Sequence, residues 1–299
     1  MKIIENLIQG SDKWHEFRKS HIGASESAAI IGMSPYQTPF KKWEEKTGRS
    51  FGIVENEAMK LGSEMEPKIR SEWEFYTGKK FDTPTAEHDE FSFMSASFDG
   101  YCHEDGSIIE IKYSKHHKLS ECISLADVEH LKELYPHYFV QCQHLMCVAN
   151  ADKCSLITMT PTGQIIDMEV PKDVEFIEQK LMPELKVFWC EYVLKDKEPP
   201  LSDKDFLHVS DDDSLCDAQE WIYINQRIKE MQEREKELRK RLIDRGEGNN
   251  VIVGNMLKVT SYTSTRVDYR KACEDNEIDI LSYKKVSTKS YRFTPIVQK

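Results

Sequence analysis

The sequence predicts a mixed α/β (α+β) fold: a central mixed sheet flanked by helices, with a C-terminal extension of helix and hairpin. Three observations carry this. Amphipathic helical segments that stop at glycines are interspersed with short alternating strands over the first 200 or so residues. A proline-led acidic stretch follows. Beyond it the apolar spacing changes to steps of three and four along a highly charged segment.

The elements follow in order. Short helices are expected over 14–19, over 25–31 before Gly32, and over 39–47 before Gly48. A longer helix covers 56–76, with Pro67 as a kink or restart and Gly78 as its stop. Strands are expected over 91–102 and 107–114, joined by the turn residues Glu104-Asp105-Gly106. A helix over 135–150 starts with Pro136 in its first turn. Strands over 154–160 and 164–170 flank Pro161-Thr162-Gly163, and an amphipathic helix over 174–194 is interrupted by Pro183. Residues 1–200 are read as one domain, 201–216 as an acidic linker and 217–299 as an accessory module. The linker region carries seven acids between 201 and 220 to one base, Lys204. In the module, Trp221, Ile224, Ile228, Met231, Leu238 and Leu242 form a seam broken by Glu235. Gly246 ends that helix, and a hairpin over 251–269, a short acidic helix and a terminal strand are expected after it.

Composition narrows the function. The chain has 299 residues and a formal net charge of -11. That argues against a protein that coats nucleic acid through sheer positive charge. It leaves room for an enzyme whose acids hold a metal while basic residues line one groove. No stretch reaches the ~18 apolar residues of a membrane span. The N-terminus meets acids too early for a signal peptide, so the expected location is the cytoplasm. The eight cysteines show no C-x-x-C spacing and read as reduced thiols, not as a zinc or iron–sulfur site.

The strongest chemical pattern is Asp99-Gly100, then Glu110-Ile111-Lys112. On a strand, Glu110 and Lys112 share one face, and Ile109 and Ile111 point to the other. The turn brings the preceding strand back, so Asp99 stands near Glu110. Two carboxylates on adjacent strands offer hard oxygen ligands suited to Mg2+ or Mn2+. A lysine beside them can orient or help deprotonate a water and offset charge on a phosphate. The bland alternative is a solvated strand face with a cross-strand ion pair. The context favours chemistry: one apolar face, a preceding helix with Glu64 and Glu66, and a following helix with Gln141 and Gln143.

A set of motifs runs in order along about residues 10–148: Trp14-x-x-x-Arg18, Ile22-Gly23-Ala24-Ser25, Gly62 to Glu66, Ser97-Phe98-Asp99-Gly100, Glu110-Ile111-Lys112 and Gln141-Cys142-Gln143. This set resembles the lambda-exonuclease-like, YqaJ-type viral recombinase family, a branch of the PD-(D/E)XK nucleases. The resemblance implies a restriction-endonuclease-like core. It also implies a phage-type, metal-dependent exonuclease acting on duplex DNA ends, 5′ to 3′, that leaves single strands for an annealing partner in a bacterial host. It further implies that Asp99, Glu110 and the carbonyl of Ile111 hold Mg2+ or Mn2+, that Lys112 positions the water, and that Glu66 and Gln141 complete the site. Arg18 and Ser25 take the place of a DNA phosphate pair, against the plainer readings of a surface ion pair and a helix cap. A homo-oligomer is implied, a trimeric ring being one form of it. Phe98 stands where the family name has a proline, and the region after Cys216 is extra, which leaves subunit number open.

Several residues have two readings. Lys115 and Lys118 are taken as further phosphate contacts, although solvated lysines are the default. Trp14, Trp43, Trp73 and Tyr36 read as packing residues, with stacking on bases near a DNA entrance as the alternative. His116-His117 reads as exposed. Two other functions fit the same sequence: an endonuclease of the same fold, and a non-catalytic DNA-binding scaffold.

Overall fold

The computed structural model describes residues 1–50, 56–113, 117–160, 162–206, 209–247, 249–254 and 256–260. The chain divides into two compact units, Met1–Leu207 and His208–Lys299. The first holds every candidate site residue that is described.

The first unit opens with β1 (Lys2–Ile3), α1 (Asp12–Lys19), β2 (Ile22–Gly23), α2 (Ala24–Ile30) and α3 (Pro39–Lys46). Next come α4 (Glu57–Thr77), β3 (Thr85–Glu87), β4 (Met94–Ser97), β5 (Gly100–Tyr101) and β6 (Ile108–Lys112). It continues through α5 (His117–Ser124), α6 (Val128–Leu134), α7 (Pro136–Ala149), β7 (Lys153–Met159) and β8 (Ile165–Pro171). A helical stretch, α8 over 174–193, closes it. One sheet has the order β1-β3-β4-β2 and the other β5-β6-β7-β8. Both are mixed: β2 and β4 run parallel, as do β6 and β7, and the other neighbours are antiparallel. The mixed α/β class is therefore as expected, with its strands in two four-stranded sheets.

Local chemistry explains the boundaries. The Ser11 hydroxyl caps α1 through the Trp14 N–H, and Asn56 caps α4 through Met59 N–H. Gly78 ends α4 at φ 71°, where a side chain is disfavoured. The helix over 174–193 stays continuous past Pro183 by taking a π turn at Ile177–Leu181 just before it. Proline has no N–H to donate back along a regular helix, so the turn is loosened there.

Two expectations are corrected in this unit. The strand expected over 91–102 is two strands in different sheets, broken at Phe98 and Asp99. Helices α5 and α6 stand in a segment to which no element was assigned. Phe98 is fully buried, so the break is anchored in the main core.

The second unit contains α9 (Asp212–Arg245) and a hairpin of β9 (Val251–Val253) and β10 (Leu257–Val259). The acidic run read as linker begins this helix. Asp211 accepts from Ser214 N–H at 2.9 Å, and Asp212 and Asp213 lie in the first turn, where acids suit the helix dipole. Glu235, the polar break in the seam, pairs with Arg239 on the same helix at 2.9 Å. Ile224, Ile228, Met231 and Leu238 are exposed. The expected hairpin is described only as far as residue 260, and the expected acidic helix and terminal strand lie outside the described residues.

Candidate active site

The strand β6 lies inside its sheet, between β5 and β7. Its alternation works as the sequence requires, but both faces are covered. Ile109 and Ile111 join a small core with Ile69 and Trp73 of α4. Ile108 belongs to the larger core with Val140 and Leu145 of α7. Glu110 is consequently 0% exposed, which rules out a solvated face at this position. Gly100 allows β5 to lie close against β6: a Cβ there would stand 2.5 Å from Ile109 Cγ1.

Asp99 sits at the break before β5. Its Oδ2 accepts the N–H of Ile111 at 2.8 Å, which ties the acid to β6. Glu110 Oε1 accepts from Gln141 Nε2 at 2.6 Å and forms an ion pair with Lys112. Glu66, from α4, lies 3.6 Å from Arg70 NH1, and Arg70 donates to the Asp99 carbonyl at 2.6 Å. Thus Glu66, Asp99, Glu110, Lys112 and Gln141 are brought together from α4, β6, α7 and the β4–β5 break. Arg70 was missed, although its place one helical turn after Glu66 is the spacing of a helix ion pair.

The electrostatics are those of crowded acids. Burial, then Asp99, raise the pKa of Glu110 to about 8, against the pull of Lys112. Burial and Asp99 raise Glu66 to about 7. Burial also raises Asp99, with Lys112 opposing. Burial disfavours the charge of Lys112, yet Glu110 and Asp99 outweigh it and hold the ammonium above its ordinary pKa. Lys112 is therefore a firm cation and hydrogen-bond donor.

The fit to a metal can be tested on these contacts. Among the described residues no three His, Cys, Asp or Glu side chains are already gathered as a metal-binding set. Asp99 and Glu110 are turned to protein donors instead. But Glu110 Oε2 is buried and takes no hydrogen-bond donor from the described residues. A buried, unpartnered carboxylate oxygen beside two further acids is costly unless a cation or donor meets it. The donor set is all hard oxygen, which suits Mg2+ or Mn2+.

The second group of candidates is held by contacts of its own. Arg18 NH2 lies 3.3 Å from Ser25 Oγ and 3.3 Å from Glu26 Oε1, and its guanidinium lies 4.7 Å from the Trp14 ring centre. Ser25 does not cap its helix: the cap position is Gly23, whose N–H donates to Glu26 Oε2 at 2.8 Å. Lys46 reaches the same oxygen at 2.8 Å. Lys118 is exposed on α5, while Lys115 and His116 lie outside the described residues. Trp43 and Trp73 are core residues, Trp14 is half-buried and donates to Ser97 Oγ at 2.8 Å, and Tyr36 is 71% exposed rather than packed. Gln143 is structural, bridging the Pro171 carbonyl and the Asp173 N–H at 2.9 and 2.8 Å. The seven described cysteines are unpaired. No helix among the described residues is long and apolar enough to cross a membrane.

The chain is similar to known proteins in sequence and in fold. Residues 13–152 match the family model of the YqaJ-like viral recombinase domain. A relative from Bacillus subtilis (strain 168), the uncharacterized protein YqaJ, is 26% identical over 257 residues, covering 79% of this chain and 78% of its own. The crystal structure of an alkaline exonuclease from Laribacter hongkongensis has a similar fold, with a TM-score of 0.52 at 20% identity, covering 62% of this chain and 94% of that one. A structure of the Laribacter enzyme with dAMP gives the same TM-score at 21% identity. The shared fold is the restriction-endonuclease-like core.

Proposed function

We propose that this chain, whose residues 13–152 match the model of the YqaJ-like viral recombinase domain, is a phage-type DNA exonuclease that hydrolyses phosphodiester bonds at duplex ends in the 5′-to-3′ direction. The observation that carries the reading is the unpartnered, buried Glu110 Oε2 beside Asp99 and Glu66. Asp99, Glu110 and the Ile111 carbonyl are the residues that would hold Mg2+ or Mn2+, which when bound supplies Lewis-acid polarisation of the phosphate and its attacking water. Lys112, a firm cation, donates to the water or a phosphate oxygen and does not act as the base. Gln141 fixes the Glu110 carboxylate through its amide. Arg70, held to Glu66 and to the Asp99 carbonyl, keeps the acid-bearing loop in register with α4.

On this reading Arg18 and Ser25 take a DNA phosphate, for which arginine's fork of donors is suited. Lys115 and Lys118 add contacts along the strand. The product is single-stranded DNA for an annealing protein, the working form is a homo-oligomer, and the part from residue 217 onward is an accessory module outside the catalytic centre. The test is digestion of an end-labelled linear duplex beside a closed circle, with and without Mg2+. Progressive Mg2+-dependent loss of the linear duplex, with the circle intact, is the expected result. Equal cutting of the circle would replace the reading with an endonuclease. Binding without cleavage would leave a scaffold.

A further inference from the structure

The exposed Tyr36 and its neighbours are not used by the catalytic reading above. Tyr36 sits between α2 and α3 in a turn that is well tied. Ser34 Oγ accepts the N–H groups of Tyr36 and Gln37 at 3.1 and 3.3 Å, and Gln37 Nε2 donates to Glu45 at 2.8 Å. Its ring meets that of His137 edge to face, with centres 5.4 Å apart. His137 lies 4.1 Å from the ring of Tyr138, and the Lys112 ammonium lies 5.4 Å from the Tyr138 ring centre. Tyr135 stacks on Tyr138 at 5.6 Å. A file of rings therefore leads from the lysine of the acid cluster to an aromatic side chain in solvent.

Two features make this more than packing. An aromatic residue kept for stability buries its ring, and Tyr36 leaves 71% of its surface in water while its backbone is held firmly. Beneath it, both ring nitrogens of His137 are buried and meet no hydrogen-bond partner among the described residues. Burial, then the nearby Lys112, lower its pKa to about 4, so at neutral pH it keeps one donor and one acceptor, both unused. Such a group calls for an explanation, and a ligand is one of few.

We propose that Tyr36 and His137 form a stacking subsite for an unpaired nucleobase a few nucleotides from the phosphate held at Lys112, the base lying on Tyr36 with its edge able to meet His137. This rests on the nuclease reading and adds a substrate class to it. The strand entering the site is single there, so the end must be frayed or melted before cleavage. Aromatic stacking accepts any base, which suits an enzyme that must move through all sequences.

The experiment is abasic scanning in single-turnover cleavage with Mg2+. Linear duplexes carry one abasic nucleotide at each of the first few positions of the cleaved strand. With the wild type, one position should lower kcat/KM about tenfold, the scale of one stacked base. Tyr36→Ala should lose about the same on normal DNA and become indifferent to the abasic position, while Tyr36→Phe and Tyr36→Trp restore both rate and sensitivity. Tyr36 is exposed, so thermal melting should be unchanged. If every abasic position affects wild type and Tyr36→Ala alike, or Phe and Trp fail to restore, the subsite is wrong while the nuclease stands. If the wild type cuts no DNA end, the catalytic reading falls and the subsite with it.

Discussion

Two glutamates in the first unit, Glu26 and Glu110, are buried almost equally, at 6% and 0% exposed, and are treated in opposite ways. Around Glu26 the protein supplies more cations than acids. Its oxygens meet Gly23 N–H, Lys46 and Arg18, all within 3.3 Å. Burial alone raises its pKa, but Arg18, Lys46 and Lys42 together hold the carboxyl well below the usual range. Around Glu110 the acids prevail. Asp99 and Glu66 add to burial, Lys112 opposes them, and one oxygen takes no donor from the described residues. A buried carboxylate with every lone pair engaged is finished within the fold. One left short of positive charge is incomplete until something outside the chain arrives.

The largest effect expected from this contrast comes from paired variants. Glu110→Gln keeps shape and removes a carboxyl whose ionisation burial and Asp99 oppose in the metal-free protein. It should cut nuclease rate about a thousandfold or more, since metal-borne charge stabilisation is worth several kcal/mol. It should leave the metal-free melting temperature unchanged or higher. Glu26→Gln should do the reverse for stability, lowering it by about 3–5 kcal/mol, because it strands Lys46 and Arg18 beside a neutral amide. Lys46 is sensitive to this, since burial already depresses its pKa against the pull of Glu26. Thermal melts in EDTA and a cleavage assay decide it. A metal-free Glu110→Gln that melts well below wild type would erase the distinction.

The difference between the two glutamates was only half legible beforehand. The alternation Ile108 to Lys112 marked a strand and its faces, and the turn at Glu104 to Gly106 marked the return that brings β5 beside it. What alternation cannot say is how many sides of a strand are covered. α4 and α7 pack on both faces of β6, and Glu110 is buried for that reason. Glu26 went unnoticed because its partners Arg18 and Lys46 lie on the helices before and after it, and nothing in local spacing ties α2 to α1 or α3. The break at Phe98-Asp99 was hidden for a similar reason. Both flanking segments have strand chemistry, and only tertiary packing decides that they join different sheets. His137 carries no mark in the sequence beyond its place in the first turn of α7. Its missing hydrogen bonds exist only in three dimensions.

The contrast also predicts opposite responses to pH. Glu110 and Glu66, raised to about 8 and about 7, stay protonated in the folded protein where the unfolded chain has already ionised. Between the ordinary carboxylate range and about pH 8 the folded state binds more protons, so this cluster's contribution to stability is lost as pH rises. Glu26 and His144 act the other way. Glu26 is held ionised, so its contribution is lost as pH falls below the usual carboxylate range. His144 is buried between Ser27 Oγ and the Ser95 carbonyl, at 2.7 and 3.0 Å, and burial lowers its pKa to about 4. The unfolded chain binds that proton first, so stability falls from about the ordinary histidine pKa down to about 4. In EDTA the melting temperature should therefore decline toward both acid and alkali. With Mg2+ the alkaline decline should shrink, because a bound cation favours the ionised acids. An alkaline limb that Mg2+ leaves unaltered would mean that the Glu110 cluster does not take the cation.

The smallest effect sharpens the other member of the pair. Arg18 NH2 is engaged by both Glu26 and Ser25, while the guanidinium as a whole presents five donors. Its side chain is 28% exposed, and Trp14 lies against the guanidinium. That is the geometry of an arginine fixed from within and open on one side. If the open side reads a DNA phosphate, Arg18→Ala should reduce the preference for 5′-phosphorylated over 5′-hydroxyl ends by about tenfold, the scale of a hydrogen bond to a charged group. Arg18→Lys should recover charge but not the fork, and so only part of the preference. Because Arg18 also neutralises Glu26, both variants need a melting curve, and rates are compared between the two ends of one preparation so that lost stability cancels. Equal losses on both ends would confine Arg18 to serving Glu26, making that pocket wholly structural and leaving the Glu110 cluster as the one place in the pair that faces the substrate.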